Sequence, residues 1–326
     1  MEYTLTCFKN FKCKANKCTD TCCIGWGIDI DKDTLSFYKN YKGDFSLKLE
    51  EGIDFNKGEI KMNSDKRCPF LNENNLCDII LNLGKEYISY ICKNHPRFFN
   101  EFDTHKEMGY GLCCEEALNL LLLNEVNLPD VEKTSSLFYL REKLFLIIKR
   151  KDLNLNEKFY YFLDIICGAE DCILFGDDLI DFLDSYNFEK KKIDKINAKK
   201  FLKKFKDLEP INSLWTKNFD IVYKNYKDNE DFCSIKNSEK YEKLFLYYTF
   251  RYLLWDIDEE DFLAKGKFVI LMVTLNIIFD FILGIDNKNT ILLSKELEYS
   301  EDNLNFLLKL CDEDEDFSFD KIISYV

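Results

Sequence analysis

Ten of the fourteen cysteines in this 326-residue chain lie within its first 114 residues: Cys7, Cys13, Cys18, Cys22, Cys23, Cys68, Cys77, Cys92, Cys113 and Cys114. Free cysteine packs as a small buried hydrophobe and is usually sparse, so this density marks a segment organised around thiol chemistry. Disulfides, zinc and iron–sulfur clusters all use thiols in such numbers. The opening residues, MEYTLTCFKNFKCKANKC, are broken by lysines and hold no apolar run of signal-peptide length. A cytoplasmic location is therefore expected, and disulfides do not persist in a reducing compartment. Metal ligation or redox chemistry remains.

The chain carries 59 acidic and 45 basic residues, a net charge of -14. Such a surface repels phosphate backbones, so a general nucleic-acid binder is excluded, whereas a protein partner with exposed lysines suits it. The longest apolar run, Phe268–Ile285, approaches the length of a membrane span but contains Asn276 and Asp280. No basic flank marks an orientation, so the run is expected to be a buried helix of an α-helical domain. No transmembrane span is expected, while peripheral membrane association stays open.

Prolines occur only at 69, 96, 129 and 210, and no glycine-rich linker separates domains. Composition sets the boundary instead: 1–125 holds most cysteines and both histidines, and 126–326 is rich in Leu, Ile, Phe, Tyr, Lys and Glu. In Ser135–Lys151, Leu137, Leu140, Leu144, Phe145 and Ile148 recur at steps of three and four, the stripe of an amphipathic helix. Phe159–Cys167, Leu179–Leu183, Ala198–Leu208, Tyr241–Trp255, Phe262–Leu283 and Leu304–Cys311 read the same way. In the first segment Gly27–Ile30 and Glu59–Met62 alternate like short strands, while Thr34–Tyr41 and Asp78–Cys92 read as helices. The expected fold class is mainly α: a Cys-rich N-terminal metal domain with short helices and minor β, followed by an all-α domain.

The cysteine order is Cys13-x4-Cys18-x3-Cys22-Cys23, then Cys68-Pro-Phe-Leu-x5-Cys77, Cys92 before His95-Pro96-Arg97, and Cys113-Cys114. Were Cys18 to Cys22 helical, their sulfurs would lie one turn apart on one face, able to share a metal. Zinc modules pair cysteines two to four residues apart, whereas Cys68, Cys77, Cys92 and Cys114 are separated by gaps of eight, fourteen and twenty-one. The ferredoxin run is absent as well. Ligands spread in this way must be assembled by the fold.

The stretch Phe11-Lys-Cys13 through Cys22-Cys23-x-Gly25-Trp26, Ile30-Asp31-Lys32, Cys68-Pro69-Phe70-Leu71 with Cys77, Cys92-x3-Pro96-Arg97 and Leu112-x-Cys114-x-Glu116 resembles the flagellin lysine-N-methylase family, which carries an eight-cysteine zinc- or iron-chelating domain. The resemblance covers roughly residues 8–120. It implies an S-adenosylmethionine-dependent methyltransferase acting on lysines of a flagellin-type protein substrate, with a cysteine-bound [4Fe-4S] cluster. The matching metal ligands are Cys13, Cys18, Cys22, Cys23, Cys68, Cys77, Cys92 and Cys114; Cys7 and Cys113 match nothing. Ala15 stands where the family favours glycine, and Glu115 where it favours proline. The alternative is a non-enzymatic zinc- or iron-binding structural or redox-sensing protein with a helical partner-binding domain.

Other candidates are weaker. Asp29, Asp31 and Asp33 mimic the start of a calcium loop without its glycine or terminal glutamate, and Asp33 is expected instead to cap a helix. His95 is expected at the surface, and Arg97 either beside a thiolate cluster or in a stacking role. The nine lysines of Glu189–Lys206 read as a solvated face over a packed stripe. Trp26, Trp215 and Trp255 are expected to anchor cores, with Trp26 also able to shield a cluster. No glycine-rich loop marks a donor site, and Gly25-x-Gly27 lacks its context. Catalytic residues are not identified; Tyr247, Tyr248, Asp256 and Asp258 are candidate linings of a lysine channel.

Overall fold

A computed structural model describes residues 2–130, 135–189, 193–194, 196, 198–211, 213–227, 238–255 and 262–325. Asp256 and Asp258 lie outside the described residues, as do several of the lysines in Glu189–Lys206. Contacts divide the chain into a cysteine-rich unit, Asn10–Phe98 with Tyr110–Leu118, and a helical unit, Met1–Lys9 with Phe99–Gly109 and Asn119–Val326. The architecture is mainly α, as expected from the periodicity.

In the cysteine-rich unit, α1 (Lys32–Asn40) starts where Asp31 accepts a hydrogen bond from Thr34 N at 3.0 Å. The cap is thus Asp31 rather than Asp33, because Asp31 alone has the extended backbone that lets a carboxylate fold back on the first turn. α2 (Ser46–Gly52) leads into β2 (Ile53–Asp54), paired antiparallel with β3 (Glu59–Ile60). The expected strand at Gly27–Ile30 is reduced to a bridge from Asp29 to Glu59 and a bond from Ile60 N to Ile28 O. The helix expected over Asp78–Cys92 is broken into α3 (Asp78–Asn82), a 3-10 turn at Lys85–Tyr87 and α4 (Tyr90–Asn94). Gly84, at φ +114°, takes a conformation closed to other residues and ends α3. Ile28, Ile30, Tyr38, Leu49, Ile53, Phe70 and Ile79 form the core that these pieces surround.

In the helical unit, β1 (Glu2–Tyr3) pairs parallel with β5 (Lys106–Tyr110), and β5 pairs with β4 (Arg97–Glu101) across the turn 102–105. This small sheet was not signalled by residue alternation. α5 (Glu115–Leu123), whose residues up to Leu118 belong to the cysteine-rich unit, leads to α6 (Ser136–Lys149), α7 (Leu155–Phe175) and α8 (Leu179–Ser185). α9 (Lys199–Lys204), α10 (Ser213–Asn225) and α11 (Ser238–Tyr252) follow. The unit ends with α12 (Phe262–Leu283), α13 (Asn287–Glu298), α14 (Glu301–Glu313) and α15 (Phe319–Ile322).

α12 is the hub, packing against α7, α10, α11, α13 and α14. By length and composition it could cross a membrane, yet it is almost wholly buried in this unit. Apolar on every side, it suits a helix surrounded by others. Gly266 lets α7 approach closely: a Cβ there would stand 2.7 Å from Ile166 Cδ1. The charge that interrupts the apolar run is fully partnered. Asp280 accepts from Lys240 Nζ at 2.6 Å, Tyr241 OH at 3.0 Å and Asn289 Nδ2 at 2.8 Å, tying α11 and α13 to the hub. Asn276 accepts from Thr290 Oγ1 at 2.7 Å.

Removing one partner of a buried ion pair strands the other charge, so Asp280→Ala is expected to cost about 3–5 kcal/mol of stability. Urea unfolding followed by far-UV circular dichroism measures this; an unchanged midpoint would mean that the network carries no stability.

Candidate metal centre

All eight cysteines of the motif lie in the cysteine-rich unit, and Cys7 does not. Cys7 is buried in the helical unit, where loss of solvation pushes its thiol up to about 12. Cys113 is also buried, its Sγ 3.9 Å from His95 Nε2.

The first half of the motif meets the second through the backbone. Cys68 N donates to Cys23 O at 2.9 Å, Gly25 N donates to Lys66 O at 2.9 Å, and Ile24 and Arg67 form a bridge between them. Next, a bridge from Leu71 to Cys77 closes a hairpin pinned by Asn72, whose Oδ1 accepts from Asn74 N and Leu76 N. Cys77 is thereby returned to the neighbourhood of Cys68 and becomes the residue that starts α3. α4 carries Cys92; Ser89 caps it, and Tyr90 N donates to Asp31 Oδ2 at 2.7 Å, fixing α4 against the start of α1. Cys68 is part of the apolar core, and Cys23, Cys77 and Cys92 pack against that same core.

The other four thiols follow a different construction. Cys13, Cys18 and Cys22 lie on the loop before Gly25, which contains a single 3-10 turn at Ala15–Lys17 and no α-helix. The one-turn helical spacing expected for Cys18 and Cys22 is therefore not formed: Cys18 is extended. The loop is anchored to the start of α5, beside Cys114. Thr19 donates from N and Oγ1 to the Glu115 carboxylate at 2.9 and 3.0 Å, and Lys14 pairs with Glu116 at 3.5 Å. Glu115, at a position where proline was expected, thus holds the loop. Cys13 and Cys22 are exposed, and Cys18 and Cys114 are partly buried.

Electrostatics follow this division. Burial pushes Cys68 up to about 12 and Cys92 up to about 11, and the nearby Cys23 and Cys77 thiols add to both shifts. Burial also raises Cys18 to about 11, with Cys13 and Cys114 as its thiol neighbours. Cys22 and Cys23 share a hydrogen bond that lowers Cys23 to about 7 and drives Cys22 far upward. Arg67 is the cation that favours the Cys23 thiolate, a role sequence spacing did not reveal. Arg97, by contrast, donates to Lys93 O and lies 5.4 Å from the Tyr110 ring centroid, so it stacks. Trp26 donates to Cys22 O at 2.6 Å and meets the His95 ring edge-on at 4.5 Å. His95 is consequently partly buried, not a free surface histidine.

Eight soft donors suit a thiophilic metal, and four thiolates make a complete ligand set for zinc or for a [4Fe-4S] cluster. Among the described residues no three His, Cys, Asp or Glu side chains converge closely enough to hold a single ion. The thiols are gathered by the fold without being closed on a point.

Tyr247 and Tyr248, read from sequence as channel linings, are fully buried in the helical unit. Arg251 Nη1 donates to Tyr247 OH at 2.8 Å and also pairs with Glu298 at 3.0 Å. They are core residues.

Ala15 has φ +50°, in the left-handed region that favours glycine. L-residues lose about 1–2 kcal/mol there, partly offset by the greater entropy of an unfolded glycine. Ala15→Gly should therefore raise stability by up to about 1 kcal/mol. A lower urea midpoint in this variant would show that the loop is not strained at Ala15.

The chain is similar to the flagellar biosynthetic protein FliU of Salmonella muenchen, 32% identical over 130 residues that are 37% of this chain and 74% of that protein. It is also similar to the lysine-N-methylases of Salmonella choleraesuis and Salmonella typhimurium, 30% identical over 134 and 133 residues. Those matches cover 38% of this chain and 33% of each relative, so the chain spans about a third of the length of these two proteins. No family model and no solved structure matches.

Proposed function

Because the chain belongs to the family of FliU and lysine-N-methylase, we propose that it is an S-adenosylmethionine-dependent protein lysine N-methyltransferase with a cysteine-bound [4Fe-4S] cluster. The observation that carries this reading is the 32% identity over 130 residues, which reaches across 74% of FliU. The name of FliU, a flagellar biosynthetic protein, supports a flagellin-type protein substrate, and a cytoplasmic place of reaction is proposed alongside it. A net charge of -14 suits a partner that presents lysines.

The eight cysteines of the motif are the residues that would hold the metal group. Thiolate ligation fits zinc and iron–sulfur equally in donor type, and the family reading selects iron–sulfur. When bound, the cluster supplies an oxygen-sensitive, redox-active group held by thiolates. Metal loading requires these thiols to lose their protons, and burial opposes that loss at Cys68, Cys77, Cys92 and Cys114. Arg67 offsets part of the cost at Cys23.

Methyl transfer needs the target amine in its neutral form. Its nitrogen attacks the sulfonium methyl, the N–C bond forms as the C–S bond breaks, and the departing thioether keeps the electron pair. The product ammonium then releases a proton to an acceptor.

Anaerobic purification followed by incubation with S-adenosylmethionine and flagellin tests the proposal. Iron and acid-labile sulfide in the protein, together with donor-dependent methyl-lysine in flagellin by mass spectrometry, are expected. A colourless, zinc-loaded protein that leaves the donor unconsumed would overturn the enzyme and favour a structural or redox-sensing metal protein.

A further inference from the structure

We infer that the eight thiols form two separate four-cysteine metal centres: an inner one on Cys23, Cys68, Cys77 and Cys92, and an outer one on Cys13, Cys18, Cys22 and Cys114. The inference rests on the metal-bound reading of this unit and adds to it the number of centres, their ligands and their different exchange with solvent.

The inner four are grouped by packing. Cys68 is a core residue and the other three lie against the core built from Ile28, Tyr38, Phe70 and Ile79. Three local devices bring them there: the bond from Cys68 N to Cys23 O, the Leu71–Cys77 bridge, and the tie from Tyr90 N to Asp31 that positions α4. None of the outer four belongs to that core. They are grouped instead by the contacts of Thr19 with Glu115 and Lys14 with Glu116, which hold the cysteine loop at the start of α5. Cys22 and Cys23 are consecutive but divide at this junction, the first exposed and the second packed inward.

Thiol neighbours follow the same packing except at Cys22: Cys68 and Cys92 each lie near Cys23 and Cys77, and Cys18 lies near Cys13 and Cys114, whereas Cys22 shares a hydrogen bond with Cys23 and lies near both Cys13 and Cys92, at the junction of the two sets. Two sets of four also match what thiolate metal sites use, whereas eight ligands exceed the need of one zinc ion or one cubane cluster. A centre enclosed by apolar side chains releases metal only when the core opens; one on an exposed loop releases it by local motion. The outer centre is therefore the labile one.

The test uses the full chain purified anaerobically, with total metal and acid-labile sulfide measured on wild type, Cys18→Ser/Cys114→Ser and Cys68→Ser/Cys77→Ser. The outer double variant should retain half of the wild-type metal. Wild type challenged with EDTA and a colorimetric iron chelator should lose one half in a fast phase and the other in a slow phase, and the outer variant should show the slow phase alone. Since the inner variant can fail to fold, the two-phase release from wild type stands as an independent measurement. Loss of all metal in the outer variant, or release from wild type in a single phase, means one shared centre and overturns the partition. A wild-type protein without bound metal overturns instead the metal reading on which the partition rests.

Discussion

The pairing of residues 23–25 with 66–68 is the contact on which the cysteine-rich unit depends. Cys68 N to Cys23 O and Gly25 N to Lys66 O are two ordinary backbone bonds, yet they join segments more than forty residues apart. Everything downstream is local: the Asn72-pinned hairpin returns Cys77, Gly84 breaks the chain into short helices, and Asp31 secures the one that carries Cys92. Asp31 serves twice, capping α1 with one oxygen and receiving Tyr90 N with the other. These hydrogen bonds keep its carboxyl below the ordinary range, against the opposing effect of burial.

The two units were legible to different degrees for a physical reason. Long helices repeat their apolar stripe often enough to be read, so α6 and α12 appear at Ser136–Lys149 and Phe262–Leu283 within two residues of expectation. Elements of five residues repeat nothing. Asp78–Cys92 has helical composition throughout, and only the left-handed Gly84 shows why it cannot continue. The β4–β5 sheet was missed because RFFNE and KEMGY do not alternate cleanly. In the cysteine motif, residue type was legible and grouping was not: gaps of eight and fourteen acquire meaning only once a hairpin and a capped helix fold them back.

The helical unit shows how a mostly apolar hub can still specify its neighbours. A smooth α12 could rotate or slide among surrounding helices with little penalty. Asp280 and Asn276 prevent this, because each is buried where one set of partners satisfies it. The Arg141 guanidinium does the same for α6, donating to both Glu107 oxygens at 2.7 and 2.5 Å and so tying the helix to β5. Buried ion pairs contribute little net stability against an apolar replacement, but a displaced one is costly, and that asymmetry fixes register. The same residues that make the sequence of α12 look unlike a lipid-facing span are thus those that place it.

Charge alone does not separate zinc from an iron–sulfur cluster at these thiols. Four thiolates around Zn²⁺ carry the same net charge as four thiolates around a [4Fe-4S]²⁺ core, and either would offset the burial, and the lesser thiol–thiol repulsion, that raise the pKa values of Cys68 and Cys92. Size separates them. Zinc draws its sulfurs to about 2.3 Å from one ion, which requires four side chains to converge on a point. A cubane cluster binds each thiolate to a different iron and accepts them around a larger body.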